Sequence, residues 1–185
     1  MKFVIGIAGL AGAGKDTVAD MIIELNRKFA KASFAKPLKD MVKTGLGLSE
    51  EQVNGSLKDT VDSTYSVTPR HIMQTLGTEW GRQFVSPDIW LMALHRTLEG
   101  PTVIADVRFP NEAEHVRANG VLVHVERPQQ LNSVDLSNPA LAHSSESGVD
   151  IKSGDYTIIN DTTMDKLKVR VAVLLRDIET NGDAH

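Results

Sequence analysis

Apolar and polar positions fall along the chain in blocks whose lengths and periods read as alternating strands and helices. Phe3 to Ala8 is apolar almost throughout, as a strand buried on both faces is. A glycine-rich stretch then leads to Val18, Met21, Ile22, Leu25 and Phe29 at helical spacing, with Asp20, Glu24, Arg27 and Lys28 on the other faces. Ala32 to Ala35 reads as a short second strand. Lys36-Pro37-Leu38-Lys39 opens a helix that runs through Met41 and Val42 to Gly45 or Gly47, with proline in its first turn. Ser49 to Val53 is predicted as a short helix with a capping box between Ser49 and Gln52, and the aperiodic stretch Asn54 to Val67 as a mobile loop. Thr68-Pro69 opens a helix carrying Ile72, Met73, Leu76 and Trp80. Ser86-Pro87 opens another, carrying Ile89, Trp90, Leu94 and Leu98.

The second half repeats the alternation. Pro101 to Asp106 is a third strand, Asn111 to Asn119 a helix ending at Gly120 with capping-box spacing between Asn111 and Glu114, and Val121 to Glu126 a fourth strand. Pro128 to Gly154, rich in Ser, Asn, Gln and Pro, reads as a flap or lid. Tyr156 to Ile159 is a fifth strand and Met164 to Ile178 a closing helix. Strands separated by helices require a parallel sheet with right-handed crossovers, and no internal repeat or second composition regime interrupts the pattern. The expectation is one α/β domain over residues 1–185, a three-layer sandwich of five parallel strands with helices on both faces. It carries a helical insert at about 36–98 and a lid-like segment at about 128–154. Ligands of such sheets sit at the carboxyl ends of the strands, so the residues just after each strand are the chemical candidates.

Composition narrows the setting. A length of 185 residues with 41% hydrophobic content supports a sizeable single core, and the absence of cysteine excludes disulfides and thiol chemistry and fits a reducing, cytoplasmic compartment. No apolar run approaches the roughly 20 residues of a membrane span. A net charge of −4 argues against a broad surface for a nucleic-acid polymer, while leaving room for local cationic clusters that bind small phosphates.

One of those clusters is explicit. Gly9-Leu10-Ala11-Gly12-Ala13-Gly14-Lys15-Asp16-Thr17 lies between the first strand and the first helix, the order a phosphate-binding loop requires. The glycines let backbone N–H groups converge on phosphate oxygens, the helix start adds its positive dipole end, and Lys15 can bridge the outer phosphates. Gly12, Ala13, Gly14, Lys15, Asp16 and Thr17 are therefore the candidates for nucleotide binding. Asp16 stands where a hydroxyl usually follows the lysine, with Thr17 one place later. Asp16 either orients metal-bound water or is simply a first-turn acid favoured by the helix dipole.

Four further groups carry candidate chemistry. Asp106 at the end of the third strand suits magnesium held through water, and Arg108 two residues on offers a fixed fork for a phosphate. A spacing of four puts Arg70, Gln74 and Thr78 on one helical face with Arg82 a turn further, and Gly77 and Gly81 in the same helix suggest close approach of a ligand or a neighbouring backbone. Asp88 and Trp90 pair an acceptor for an exocyclic amine with an aromatic able to stack on a base. Lys39 on the second helix can face a substrate, and Arg127 follows the fourth strand, where a cation reaches phosphates or lies under a base. Asp88, Trp90 and Arg82 also have ordinary structural readings as a helix-start acid, a core aromatic and a solvated cation. His143-Ser144-Ser145-Glu146 is weak evidence for hydrolysis, because sequence neighbours rarely assemble a triad.

Taken together, Gly9 to Thr17, Ser33 to Lys39, Gln74 to Arg82, Asp88-Ile89-Trp90, Asp106 to Glu112, His143 to Glu146 and Tyr156 to Asp161 resemble the phage-type deoxynucleoside monophosphate kinases within the P-loop nucleoside monophosphate kinases. The resemblance implies the P-loop fold, ATP and Mg2+ as cofactors, transfer of the γ-phosphoryl group to a deoxynucleoside monophosphate, a phage or prophage origin with action in the host cytoplasm, and a homodimer as an allowed assembly. Kinases of that group likewise lack a hydroxyl directly after the lysine and hold magnesium largely through water and phosphate oxygens. By this resemblance Lys15, Arg82, Asp106 and Arg108 serve the transfer, Thr17, Asp16 and Asp106 the metal, Arg127 the donor, and Lys39, Arg70, Gln74, Arg82, Asp88, Trp90 and Arg108 the acceptor. The chain departs from adenylate kinase in having no arginine between Pro128 and Gly154. Charge on the donor must then be balanced by Lys15, magnesium and Arg127. The rival readings are a kinase of another small acceptor such as dephospho-coenzyme A, and an ATP-binding switch or assembly factor.

Overall fold

The computed structural model describes residues 3–128 and 149–182. Its five strands, β1 (Val4–Ala8), β2 (Ala30–Ala32), β3 (Thr102–Val107), β4 (Gly120–Glu126) and β5 (Tyr156–Ile159), form one sheet in the order β2-β3-β1-β4-β5. Every pairing is parallel, with Ile5 opposite Val103 on one side and Val121 on the other, and Val123 opposite Tyr156 further out. The helices are α1 (Lys15–Leu25), α2 (Lys36–Leu46), α3 (Glu50–Asn54), α4 (Pro69–Gln74), α5 (Ile89–Thr97), α6 (Pro110–Asn119) and α7 (Met164–Gly182). The architecture is the P-loop three-layer sandwich expected from the alternation of elements. Among the described residues no helix is long and apolar enough to cross a membrane.

Two compact units make up the chain: Met1–Ser33 with Leu98–His185, and Phe34–Thr97. In the first, Ile5, Ile7, Val103, Ala105, Val123 and Val125 of the sheet meet Val18 and Ile22 of α1 and Leu167, Val171 and Leu175 of α7 in one buried cluster. The opposite face takes α6, whose Val116 approaches so closely that a Cβ on Gly6 would lie 2.6 Å from it. A central strand sandwiched this tightly has no room for a side chain at that point.

The second unit is wholly helical, with Leu38, Val42, Leu48, Val53, Met73 and Trp90 as its buried core. Its short helices are set by their caps. Ser49 and Gln52 form the predicted capping box at α3, and Thr68 Oγ1 accepts from the His71 N–H ahead of Pro69 in α4. From Thr75 to Val85 the chain continues as a π-helix, which α-helical spacing does not predict. The wider turn leaves Gly77 and Gly81 buried, whereas Trp80, expected on the core face, is 43% exposed. Glycine is required at 81, since a Cβ there would lie 2.8 Å from the Trp90 ring and 2.9 Å from Leu76 O.

Other boundaries move for identifiable reasons. β2 is earlier than expected, because Ala35 is already the N-cap of α2 and Ser33 is turned toward β3. The stretch 54–67 is organised rather than featureless, with a 3-10 helix at Ser56–Asp59 and a turn in which Asp62 Oδ1 accepts from the N–H groups of Thr64 and Tyr65. α1 stops at Leu25, so Phe29 reaches the core from the following turn. α5 begins at Ile89, after Ser86 Oγ has accepted the Asp88 N–H. At α6 the acid that reaches back is Glu112 rather than Glu114, as the N-cap is Phe109, two residues before the Asn111 expected to pair with Glu114. His143 to Glu146, and most of the predicted lid, lie outside the described residues.

Candidate active site

The cradle is built where β1 ends. Gly14 is the N-cap of α1 with φ of 100°, a left-handed conformation that glycine enters without penalty, and it lets the loop close over the helix start. Gly12, Gly14, Lys15, Asp16 and Thr17 line an open cleft of about 500 Å³ together with Arg127, Asn160, Thr162, Thr163 and Met164. That volume lies within the ordinary range of small-ligand sites. Ala13, in the middle of the loop, is buried. Lys15 Nζ donates to the carbonyls of Gly9 at 2.8 Å and Leu10 at 2.9 Å, so its ammonium is held over the loop rather than released to solvent.

The opposite wall was not singled out residue by residue in the sequence. Asn160 follows β5 directly, and Thr162, Thr163 and Met164 lead into α7. The signal for them is positional, since they are the first residues beyond the carboxyl end of a parallel strand. Arg127 holds the equivalent place after β4 and is exposed at the cleft.

Asp16 is also at the cleft, yet its carboxylate meets Lys31 Nζ at 3.0 Å, and Lys31 pairs with Asp20 at 2.8 Å as well. Partial burial pushes the Lys31 ammonium down, but the two carboxylates outweigh it and hold its pKa above the ordinary value. Asp106, in β3, accepts from Ser33 Oγ at 2.6 Å, a contact that ties the end of β2 to the end of β3. Ser33 is another residue to which the sequence assigns no role.

Arg108 is exposed just beyond β3, and its backbone is fixed by Glu112. The buried Glu112 carboxylate accepts from the N–H groups of Arg108 at 2.9 Å and Phe109 at 3.1 Å. Both N–H groups precede α6, so Glu112 occupies the place of a capping acid and is favoured there by the helix dipole.

The helical unit holds the remaining candidates. Lys39 is half-buried on α2, and Gln74 is exposed at the end of α4. Arg70 is exposed and makes a bidentate pair with Asp59, through Nε to Oδ1 and through Nη2 to Oδ2 at 2.9 Å. That guanidinium holds the Asp59 carboxyl below its ordinary value. Arg82 donates from Nη1 to Pro87 O at 3.2 Å, which brings it beside the exposed Asp88 at the entry to α5. Arg70 and Gln74 belong to α4, and Thr78 and Arg82 to the π-helix that follows it, where the α-helical period behind the predicted stripe no longer applies. Trp90, read as either a ring able to stack on a base or a core aromatic, is 6% exposed and donates its indole N–H to Gly77 O at 2.8 Å. Its ring is core, and the exposed aromatic against it is Trp80, with centroids 6.4 Å apart.

Oxygen donors suit magnesium, and the candidates here are Thr17 in the cleft and the carboxylates of Asp16 and Asp106. Among the described residues no three acidic, histidine or cysteine side chains converge into a metal cage. The set fits an ion that keeps several waters and relies on substrate phosphates for the rest of its shell.

Residues 48–171 match the sequence model of the deoxynucleotide monophosphate kinases, a span that begins after the phosphate loop. The chain is 27% identical to the deoxynucleoside-5'-monophosphate kinase of Escherichia phage T5, across 86% of this chain and 90% of that protein. It is 32% identical to a protein of Acanthamoeba polyphaga mimivirus described as a putative deoxynucleotide monophosphate kinase, across 88% of this chain and 91% of the other. Among solved structures, the dephospho-CoA kinase of Campylobacter jejuni superposes with a TM-score of 0.58 at 14% identity, covering 98% of this chain and all of that one, a likeness of fold alone. The family match, the two viral relatives and the phosphate cleft lead to one assignment: the chain belongs to the deoxynucleotide monophosphate kinase family.

Proposed function

We propose that the protein transfers the γ-phosphoryl group of ATP to the phosphate of a deoxynucleoside monophosphate, giving the diphosphate and ADP. The observation that carries this reading is the cleft in which Gly12, Gly14, Lys15 and Thr17 face Arg127 and Asn160, within a member of a deoxynucleotide kinase family. In this reading the loop N–H groups and the start of α1 take the β- and γ-phosphates, and Lys15 exchanges the carbonyls of Gly9 and Leu10 for phosphate oxygens. Such an exchange replaces neutral acceptors by charged ones and strengthens each hydrogen bond. Arg127 balances charge on the donor, and Thr162 to Met164 border its nucleoside.

Thr17, with Asp106 and Asp16 through water, would hold magnesium, which would supply neutralisation of charge on the phosphates. Ser33 fixes the rotamer of Asp106 for that task. Arg108, with its backbone locked by Glu112, offers its fork to the acceptor phosphate, and Arg82 shares charge on the transferring group. Lys39, Arg70, Gln74 and Asp88 supply the remaining acceptor contacts, and Trp90 supports them from the core. The acceptor phosphate is already anionic near neutral pH, so positioning and charge balance rather than a general base carry the rate.

The test is ADP release with ATP and Mg2+ over a panel of dGMP, dTMP, dCMP, dAMP, their ribose counterparts and dephospho-coenzyme A, beside Lys15→Ala. Release stimulated by one or more deoxynucleotides, with kcat lowered on the order of 10²- to 10³-fold in the variant, is the expected result. Release stimulated by dephospho-coenzyme A alone, or by no acceptor, overturns the proposal.

A further inference from the structure

We infer that Asn160 is a positioning residue for the phosphate loop, locking the Ala13–Gly14 peptide so that its N–H rather than its carbonyl is presented to the donor phosphates. The inference rests on the proposal that this loop holds the phosphates of ATP. Asn160 sits immediately after β5, and its own N–H donates to Glu126 O at 2.7 Å, so the residue is anchored to the ends of two paired strands. From that anchor its side-chain Nδ2 donates to Ala13 O at 2.8 Å. A residue 147 positions away in sequence thus grips the middle of the loop.

The grip falls at the softest point of the cradle. Gly14, with φ of 100°, has access to conformations closed to other residues, and a peptide preceding glycine is free to flip. In a planar trans peptide the carbonyl and the following N–H point to opposite sides. Holding Ala13 O against Asn160 therefore turns the Gly14 N–H the other way, and a flip would present a carbonyl dipole to phosphate oxygens. Ala13 is 1% exposed, and a buried carbonyl needs a partner, which the Asn160 amide supplies. The fit leaves no slack: a Cβ on Gly14 would stand 2.5 Å from Asn160 Nδ2. Asn160 also lines the same cleft, so the sheet edge, the loop and the nucleotide wall meet in one side chain.

Asn160→Ala and the isosteric Asn160→Asp, which keeps the shape but places an acceptor against Ala13 O, test the assignment in steady-state kinetics with thermal melts alongside. The expected result is an ATP KM raised about tenfold in Asn160→Ala and at least as much in Asn160→Asp, with the KM for the deoxynucleotide within about twofold of the parent. An ATP KM within about twofold of the parent in both variants overturns the inference. So does a parallel rise of both KM values tracking a fall in Tm, which is the mark of a merely structural contact. Lys15→Ala separates the two levels. If that variant keeps full turnover, the phosphate-loop reading itself fails, whereas if it collapses while the Asn160 variants bind ATP normally, only the role given to Asn160 is lost.

Discussion

Asp155 receives Nε and Nη2 of Arg117 at 2.9 and 2.6 Å, and its side chain is 2% exposed. The same carboxylate accepts the Lys152 N–H at 2.9 Å and meets His124 Nε2 at 2.9 Å. The pair stands at the entry to β5, the strand that Asn160 follows. Burial alone raises the Asp155 pKa, but Arg117, the Lys152 N–H and His124 overcome it and hold the carboxyl well below the usual range.

A carboxyl whose folded pKa is depressed adds stability that is complete above its unfolded value, about 4, and is lost as pH falls toward the folded one. Denaturant unfolding is therefore expected to show stability declining below about pH 4, with a shallower decline in Asp155→Ala. At neutral pH that variant should lose about 3 kcal/mol, because the half-buried Arg117 loses its bidentate partner and keeps only Glu114 and the Asp150 carbonyl. A variant as stable as the parent at pH 7 would show the pair to be energetically idle.

Trp90 and Gly81 are mutually dependent. Gly81→Ala forces a methyl against the indole and against Leu76 O, and is expected to cost about 1–3 kcal/mol. Trp90→Phe loses the bond to Gly77 O and some ring volume, for about 2 kcal/mol. In the double variant the smaller ring should relieve part of the clash, so the losses should sum to less than additivity predicts when Tm and denaturant midpoints are compared.

Glu112 is tied to the Arg108 backbone. Glu112→Ala strands two N–H groups at the start of α6 and is expected to lower stability by about 2 kcal/mol. The acceptor KM should rise more than the ATP KM, since the loosened turn carries Arg108. Equal changes in both constants would detach Glu112 from acceptor binding.

Arg108→Lys keeps the charge but removes the planar fork. The expected outcome is an acceptor KM raised about tenfold with little change in the ATP KM, measured at saturating co-substrate in each case. A larger effect on ATP would move Arg108 to the donor side.

The parts of this protein that are local in sequence were legible without coordinates. The phosphate loop is one continuous motif, the caps at Ser49 and Thr68 lie within four-residue stretches, and the buried strands are apolar runs, so the sheet-and-helix alternation follows from neighbouring residues alone. The place of β2 was harder, because the strand ends at Ala32, where Ser33 is turned by Asp106, a partner 73 residues away. The π-helix at Thr75–Val85 was invisible for a similar reason: its wider turn is coupled to the close packing of Gly81 on Trp90, which an α-helical period does not encode.

The sequence by itself therefore determined the fold class and the place of the glycine-rich loop between β1 and α1, both of which depend on short-range patterns that local backbone geometry converts directly into elements and their order. Only the tertiary structure decided that Trp90 is core and Trp80 exposed, that Asp16 answers to Lys31, that Glu112 rather than Glu114 holds the Arg108 turn, and that Asn160 grips the loop at Ala13. Each of those turns on a side chain's competition among partners, most of them distant in sequence, and burial and hydrogen-bond satisfaction settle that competition only once the chain has folded.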